Sequence, residues 1–305
     1  MYYFIINPKS RLKQGKELGT LVAEELRRRS VPHKIFYTKY RGHGTKLARA
    51  ITEKDPHCTL VAVGGDGTIH EVLTGITNYE TITFGYIPSG SGNDFARGMK
   101  ISKNPAYALE CILHPSAFMN MDLGVVTRKG KKQRFGVSCG IGFDASICHE
   151  AQVSPLKKVL NRLHLGKLTY ALLAVKQLFL YDPCQGKVVL DGGSPLHYKK
   201  MYFAAVFNQN VEGGGIKLAP DARPGDQLLD IIVVSDIPRM KILVVFPLAF
   251  FGLHTKIKGV HLMKCRRAEI SCSRKCTVHQ DGEPCGIHNS LNVSLESKTL
   301  RVIIG

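Results

Sequence analysis

The sequence predicts an α/β domain of layered type followed by a domain built mainly of β-strands, most simply a β-sandwich. Two observations carry this. Residues 1–120 alternate short apolar runs with helical periodicity, whereas residues 121–294 break into many short β-type runs separated by Gly, Asp and Asn. YYFIIN is a strand that ends in a turn at Asn7-Pro8, and Gly15–Arg29 carries Leu18, Leu21, Val22 and Leu26 at helical spacing. HKIFYT is a second strand, Thr45–Glu53 a second helix and TLVAVG a third strand. Short connections between such elements argue for a mostly parallel sheet covered on both faces. Ligands of such sheets gather at the carboxyl ends of the strands.

TLVAVG runs straight into Gly64-Gly65-Asp66-Gly67-Thr68 and then a helical pattern. Glycines there allow backbone angles closed to other residues and close approach to a polyanion, and the helix start offers unpaired N–H groups to phosphate. Asp66 fits an anion site only if a divalent cation or a hydroxyl group is oriented there. After the strand-like TFGYIP, the loop Ser89-Gly90-Ser91-Gly92-Asn93-Asp94-Phe95-Ala96-Arg97 repeats this design with small residues and hydroxyls. One Gly-rich loop is weak evidence, since a tight strand-to-helix turn would look the same; two in succession point to a nucleotide site.

From about Asn120 the runs are FMNMDLGVV, QRFGVSCGIG, GKVVLDG, KKMYFAAVFN, LLDIIVVS, RAEISCS, CTVHQDG and SLNVSLES, interrupted by helices expected at Pro155–Leu180 and around Met240–Leu253. Lys and Arg number 42 against 24 Asp and Glu, giving +18, so an anionic partner is expected. The chain has no Trp and no nucleic-acid module, so an anionic lipid surface is the better partner, each basic residue near it contributing about 1 kcal/mol. The apolar stretch Ile242–Leu253 is too short for the ~20 residues of a membrane span, and Met1–Pro8 reads as a strand, not a signal peptide. A cytoplasmic protein, peripheral to the membrane, is expected. Nine cysteines include Cys265, Cys272, Cys276 and Cys285 near His279, but without paired C-x-x-C spacing the zinc reading yields to one of buried thiols.

GGDGTIHE, IPSGSGNDFARG, GIGFDA, GGGIKLAPDARPGDQLLD and HQDGEP, in that order, resemble the diacylglycerol kinase catalytic-domain superfamily of lipid kinases, and its soluble bacterial branch most of all. The resemblance implies a nucleotide domain of the NAD kinase and diacylglycerol kinase type over 1–120, completed by 295–305, with a β-rich lipid and metal domain over 121–294. It implies ATP and Mg²⁺, with phosphoryl transfer to a lipid hydroxyl, diacylglycerol or a related lipid. Asn7, Pro8, Lys9, Ser10, Thr38, Gly64, Gly65, Asp66, Gly67, Thr68, Glu71, Ser91 and Asn93 would line the nucleotide site. Glu283 becomes the first choice for the base at the lipid hydroxyl, Asp281 its neighbour and Asp66 its competitor.

The same resemblance assigns Mg²⁺ to a loop in which Asp226 is the side-chain ligand and Arg223 and Leu228 offer carbonyls, with Asp122 in support. Two departures stand out. Gly225 replaces a common Asp, and His70 stands where many bacterial relatives have Asn; a neutral histidine on the helix surface is expected. Lys157, Lys158, Arg162 and Lys167 could face lipid head groups, or only solvent, and a homodimer is an open expectation. The rival readings are an NAD kinase, which shares GGDGT, and a nucleotide- or lipid-binding regulator without catalysis.

Overall fold

In the computed structural model, which describes residues 1–10, 14–128, 130–153 and 166–305, the first strand divides its side chains between two cores. On β1 (Tyr2–Ile6), Tyr3 and Ile5 enter one apolar layer while Phe4 and Ile6 enter the other. β3 (Thr59–Gly64) does the same with Leu60 and Ala62 against Val61 and Val63. Alternating strand faces that are both apolar require cover on both sides. α2 (His43–Lys54) and α3 (Asp66–Gly75) provide one cover; α1 (Gln14–Arg28) and, later in the chain, the helix Pro105–Leu113 provide the other. In α1, Val22 and Leu26 are buried, but Leu21 is 62% exposed despite its apolar character.

The first sheet runs β2 (His33–Tyr37), β1, β3, β4 (Thr83–Pro88), β15 (Leu300–Ile303), β5 (Phe118–Met121). β1 to β4 and β15 are parallel, and β5 is antiparallel to β15. After α4 (Asp94–Gly98) comes α5, the helix Pro105–Leu113 absent from the sequence expectation. Its start was legible: Asn104 caps the Ala106 and Tyr107 amides at 3.0 and 3.3 Å, and Pro105 occupies the first helical position.

The second sheet orders β12 (Val260–Cys265), β11 (Leu229–Ser235), β10 (Leu196–Phe207), β8 (Ser138–Gly142), β13 (Arg267–Gln280), β14 (Glu283–Leu295), β6 (Gly124–Arg128) and β7 (Lys131–Phe135), with β9 (Cys184–Leu190) pairing both β10 and β13. Ala204, Val206, Ile231 and Val233 face the interior of this sandwich-like domain, while Phe203, Phe207, Ile232 and Val234 face outward. That outward layer is covered by α6 (Phe143–Val153), α7 (Gly166–Leu180) and α8 (Arg239–Phe250). The helix expected over Pro155–Leu180 is thus described from Gly166, and α6 precedes it. GIGFDA opens α6 at Phe143 instead of continuing a strand, because Gly142 turns the chain at φ 112. Lys157, Lys158 and Arg162 lie outside the described residues, as does the Lys167 side chain.

Candidate phosphoryl-transfer site

The two glycine loops leave the adjacent carboxyl ends of β3 and β4 and touch. Ser89 N donates to the Gly64 carbonyl at 2.7 Å, and Tyr86 Oη to the same carbonyl at 3.0 Å. The glycines are required by space, not by backbone angle, because Gly64, Gly65, Gly67, Gly90 and Gly92 all have ordinary φ. A Cβ on Gly90 would lie 2.6 Å from the Gly65 Cα, and one on Gly64 would lie 2.3 Å from the Thr68 hydroxyl. No side chain caps α3, whose N-cap residue is Gly65. Its start therefore remains open to an anion.

The side chains expected at the nucleotide divide into those that build the loops and those that face the space above them. Asn7 donates to Thr68 Oγ1 at 3.2 Å, its Oδ1 accepts from Lys9 N at 3.0 Å, and its carbonyl accepts from the Ser10 hydroxyl at 3.0 Å. Ser10 reaches Ser89 at 2.8 Å, joining the turn after β1, which begins Asn7-Pro8, to the second loop. Thr38 lies beside this turn, its amide on the Ile6 carbonyl at 2.9 Å. Asn93, left-handed at φ 52, folds its own loop by accepting from Gly90 N and donating to Gly90 O, both at 2.9 Å. Glu71 accepts from the Gly42 and Gly44 amides at 2.7 and 2.9 Å, so both its oxygens cap α2. Ser91 and Lys9 are exposed at the rim.

The acids come from both domains. Asp66 Oδ1 accepts from Phe95 N at 3.2 Å, and Oδ2 lies 2.8 Å from where a Cβ on Gly92 would be. Burial and the neighbouring Asp94 push the Asp66 carboxyl up to about 7. Asp94 is raised as well, chiefly by burial, and it accepts from Gly214 N of the second domain at 3.0 Å. Oxygen-rich acids held together at a phosphate loop suit Mg²⁺. Glu283 arrives at the start of β14, where its Oε1 lies 3.0 Å from the position a Cβ on Gly67 would take. It pairs with Arg41 at 3.0 Å.

Asp281, expected as the neighbour of Glu283, is bound to the backbone at the start of β8. Its side chain is 1% exposed and accepts from the amides of Val137 at 2.8 Å and of Gly136 and Ser138 at 3.3 Å. These bonds fix the turn that leads into Glu283. His70 completes the cluster, its Nδ1 3.1 Å from Asp281 Oδ2. The expected surface histidine is therefore mostly buried, at 13% exposure. Burial opposes its charge, but the bond to Asp281 and the charges of Asp281, Glu283 and Glu71 prevail and raise its pKa.

Below Asp281, the buried His279 donates to Asp144 at 2.7 Å and lies 3.5 Å from Glu212. Burial works against its charge, yet Asp144 and Glu212 raise it to about 9, while burial lifts Glu212 to about 8. Asp144 belongs to the GIGFDA motif, whereas Glu212 lies in none of the motifs named above. The zinc grouping is not formed: Cys272 and Cys276 gather with Cys184, apart from Cys285 and His279.

The loop expected to hold Mg²⁺ bonds within itself and to Lys264. Asp226 Oδ1 accepts from Leu228 N at 3.1 Å and Oδ2 from Lys264 Nζ at 3.2 Å, and the Arg223 carbonyl accepts from Gly225 N at 2.9 Å. Asp122 Oδ2 accepts from Gln227 N at 2.7 Å. Asp226 and the Arg223 carbonyl are thus engaged by groups of the chain itself.

Beside Gly214 opens a cavity of about 620 Å³ lined by Val211, Phe246, Pro247 and Phe250, with Arg97 and Lys217 at its polar side. Its Gly214 rim is held by Asp94, so apolar walls adjoin the acids; glycine loops and acids together define the class of the kinases. Residues 1–126 match the family "Diacylglycerol kinase catalytic domain" and residues 138–304 the family "YegS C-terminal NAD kinase beta sandwich-like domain". YtlR of Bacillus subtilis (strain 168), whose name places it among lipid kinases, is 31% identical over 290 residues, 93% of this chain and 94% of that protein. A solved Bacillus anthracis str. Sterne structure described as a diacylglycerol kinase superposes with a TM-score of 0.73 at 21% identity, covering 100% of this chain and 96% of that one. An Archaeoglobus fulgidus NAD kinase solved with ATP shares the fold alone, with a TM-score of 0.53 at 12% identity over 99% of this chain and 93% of that one. The chain belongs to the diacylglycerol kinase catalytic-domain superfamily of lipid kinases.

Proposed function

We propose that the protein transfers the γ-phosphate of ATP to the hydroxyl of diacylglycerol or a related membrane lipid, in the cleft between its two domains. The observation that carries this reading is Glu283 beside Gly67: a carboxylate from the second domain stands against the phosphate loop of the first. In-line transfer needs positioned phosphates and a group to take the acceptor's proton. The Gly64–Thr68 loop and the open start of α3 would hold the phosphates, and Glu283 would take the proton, held in place by Arg41 and the Asp281 turn. Mg²⁺, held by Asp66 with Asp94 close by, would neutralise charge between the transferring phosphates.

The cavity at Phe246, Pro247 and Phe250 would receive the lipid next to Gly214. Access from a membrane surface fits the helices around it. α8 turns Met240 and Val244 outward, and the chain after it exposes Phe251 and Leu253, at 64, 59, 73 and 64%. The end of α7 adds Phe179 and Leu180, joined to the start of α8 through Arg239, which bonds the Tyr181 carbonyl at 3.1 Å and pairs with Asp182. Among the described residues no helix is long and apolar enough to cross a membrane. An apolar face on a chain of net charge +18 suits attachment to an anionic surface.

The test is a labelled-ATP assay with a lipid panel in mixed micelles and NAD in parallel. Labelled lipid is the expected product. Labelled NADP would replace this reading with that of an NAD kinase, and no transfer to any acceptor would leave a binding protein without catalysis.

A further inference from the structure

The loop expected to hold Mg²⁺ is not left without a cation. β11 and β12 are antiparallel neighbours, and their register sets Asp230 directly opposite Lys264. From there the Lys264 ammonium reaches Asp230 Oδ2 at 3.0 Å and Asp226 Oδ2 at 3.2 Å, so one lysine bridges the loop carboxylate and a strand carboxylate that is only 8% exposed. Burial raises the Asp230 pKa, and the Lys264 charge opposes that rise. The position of the absent carboxylate is closed as well: a Cβ on Gly225 would lie 2.9 Å from the Asn120 carbonyl. On the far side of the loop, Gln227 N holds Asp122, the residue that follows β5.

We propose that Lys264 is a built-in replacement for a divalent ion in this loop, so that residues 219–228 hold their fold without Mg²⁺. The loop's charge is balanced by a side chain that is always present, and a dication beside Asp226 would meet the ammonium already on Oδ2. Any Mg²⁺ requirement of the enzyme then belongs to the nucleotide alone.

The experiment follows the thermal unfolding midpoint of the full chain in EDTA and through a Mg²⁺ titration, without nucleotide, in wild type, Asp226→Asn and Lys264→Met. Binding to the folded state alone would raise the midpoint saturably. Wild type and Asp226→Asn should show the same Mg²⁺-induced shift, because whatever Mg²⁺ does elsewhere is common to both. Lys264→Met, which keeps most of the side chain's length and loses its charge, should have a lower midpoint than wild type in EDTA. A Mg²⁺-induced shift present in wild type and lost in Asp226→Asn would overturn the proposal, as would a Lys264→Met variant as stable as wild type in EDTA. If Lys264→Met does not fold, the comparison of wild type with Asp226→Asn decides alone.

Discussion

Replacing Asp281 by Ala removes the acceptor of four donors at once: the amides of Gly136, Val137 and Ser138 and the ring of His70. At 1% side-chain exposure, little water can replace it. Leaving a buried donor unpaired costs about 1–3 kcal/mol. Val137 and Ser138 share one oxygen while Gly136 and His70 share the other, so two such losses, about 2–6 kcal/mol, are a fair total. Asp281 also sits in the left-handed region at φ 49, where Ala costs about 1 kcal/mol more than Asp or Asn. Asp281→Asn keeps one acceptor oxygen and the tolerated backbone, and should cost about 1–3 kcal/mol. At roughly 2–4 °C per kcal/mol for chains of this order, calorimetry should place the Ala variant on the order of 10 °C below wild type and the Asn variant between them. An Ala variant that melted with wild type would refute the assignment of Asp281 as the anchor of this turn. Equal losses for Ala and Asn would show instead that the pair with His70, and not the amide bonds, dominates.

Glu283→Gln should lower lipid phosphorylation by roughly 100- to 10,000-fold while leaving the unfolding midpoint near wild type; near-normal turnover in steady-state assays would remove it as the base. Asp66→Asn should abolish transfer and also alter the pH profile of unfolding without nucleotide. Since the folded pKa of Asp66 is raised from 3.8 to about 7, its stabilising share is complete below the lower value and lost as pH climbs through the higher. Urea titrations between those limits should therefore show wild type losing more stability than Asp66→Asn, and parallel profiles would contradict the raised pKa. Vesicle sedimentation should show binding that rises with anionic lipid, falls with salt and weakens in Phe251→Ser; equal, salt-insensitive binding to neutral and anionic vesicles would remove the electrostatic part.

Local chemistry made half of this molecule readable. The two glycine loops announce themselves because a strand, small residues and a helix start are neighbours in sequence, and they do meet at Gly65 and Gly90. Glu283 was singled out by its motif, and its approach to Gly67 was not legible, since the partner is far away in the chain. Asp281 illustrates the same limit: the three amides it holds lie more than a hundred residues earlier, at the start of the neighbouring strand β8. Lys264 carries no signal of its own in the sequence, because only the pairing of β11 with β12 brings it to Asp230. α6 was hidden by its composition: FDASICHEAQV has no sustained apolar stripe.

β15 has a consequence for how the molecule is made. It lies between β4 and β5 in the first sheet, so its four residues close a gap in a domain whose other strands were synthesised long before. Until Leu300–Ile303 arrive, β4 has one unpaired edge, and an open apolar edge invites association with other chains. The first domain cannot be completed on the ribosome ahead of the second, and cutting the chain at the domain junction would not yield two sound halves. Assembly of the first sheet and synthesis of β15 are thereby coupled: β4, which carries the second glycine loop at its other end, gains its second neighbour only when β15 has been laid beside it.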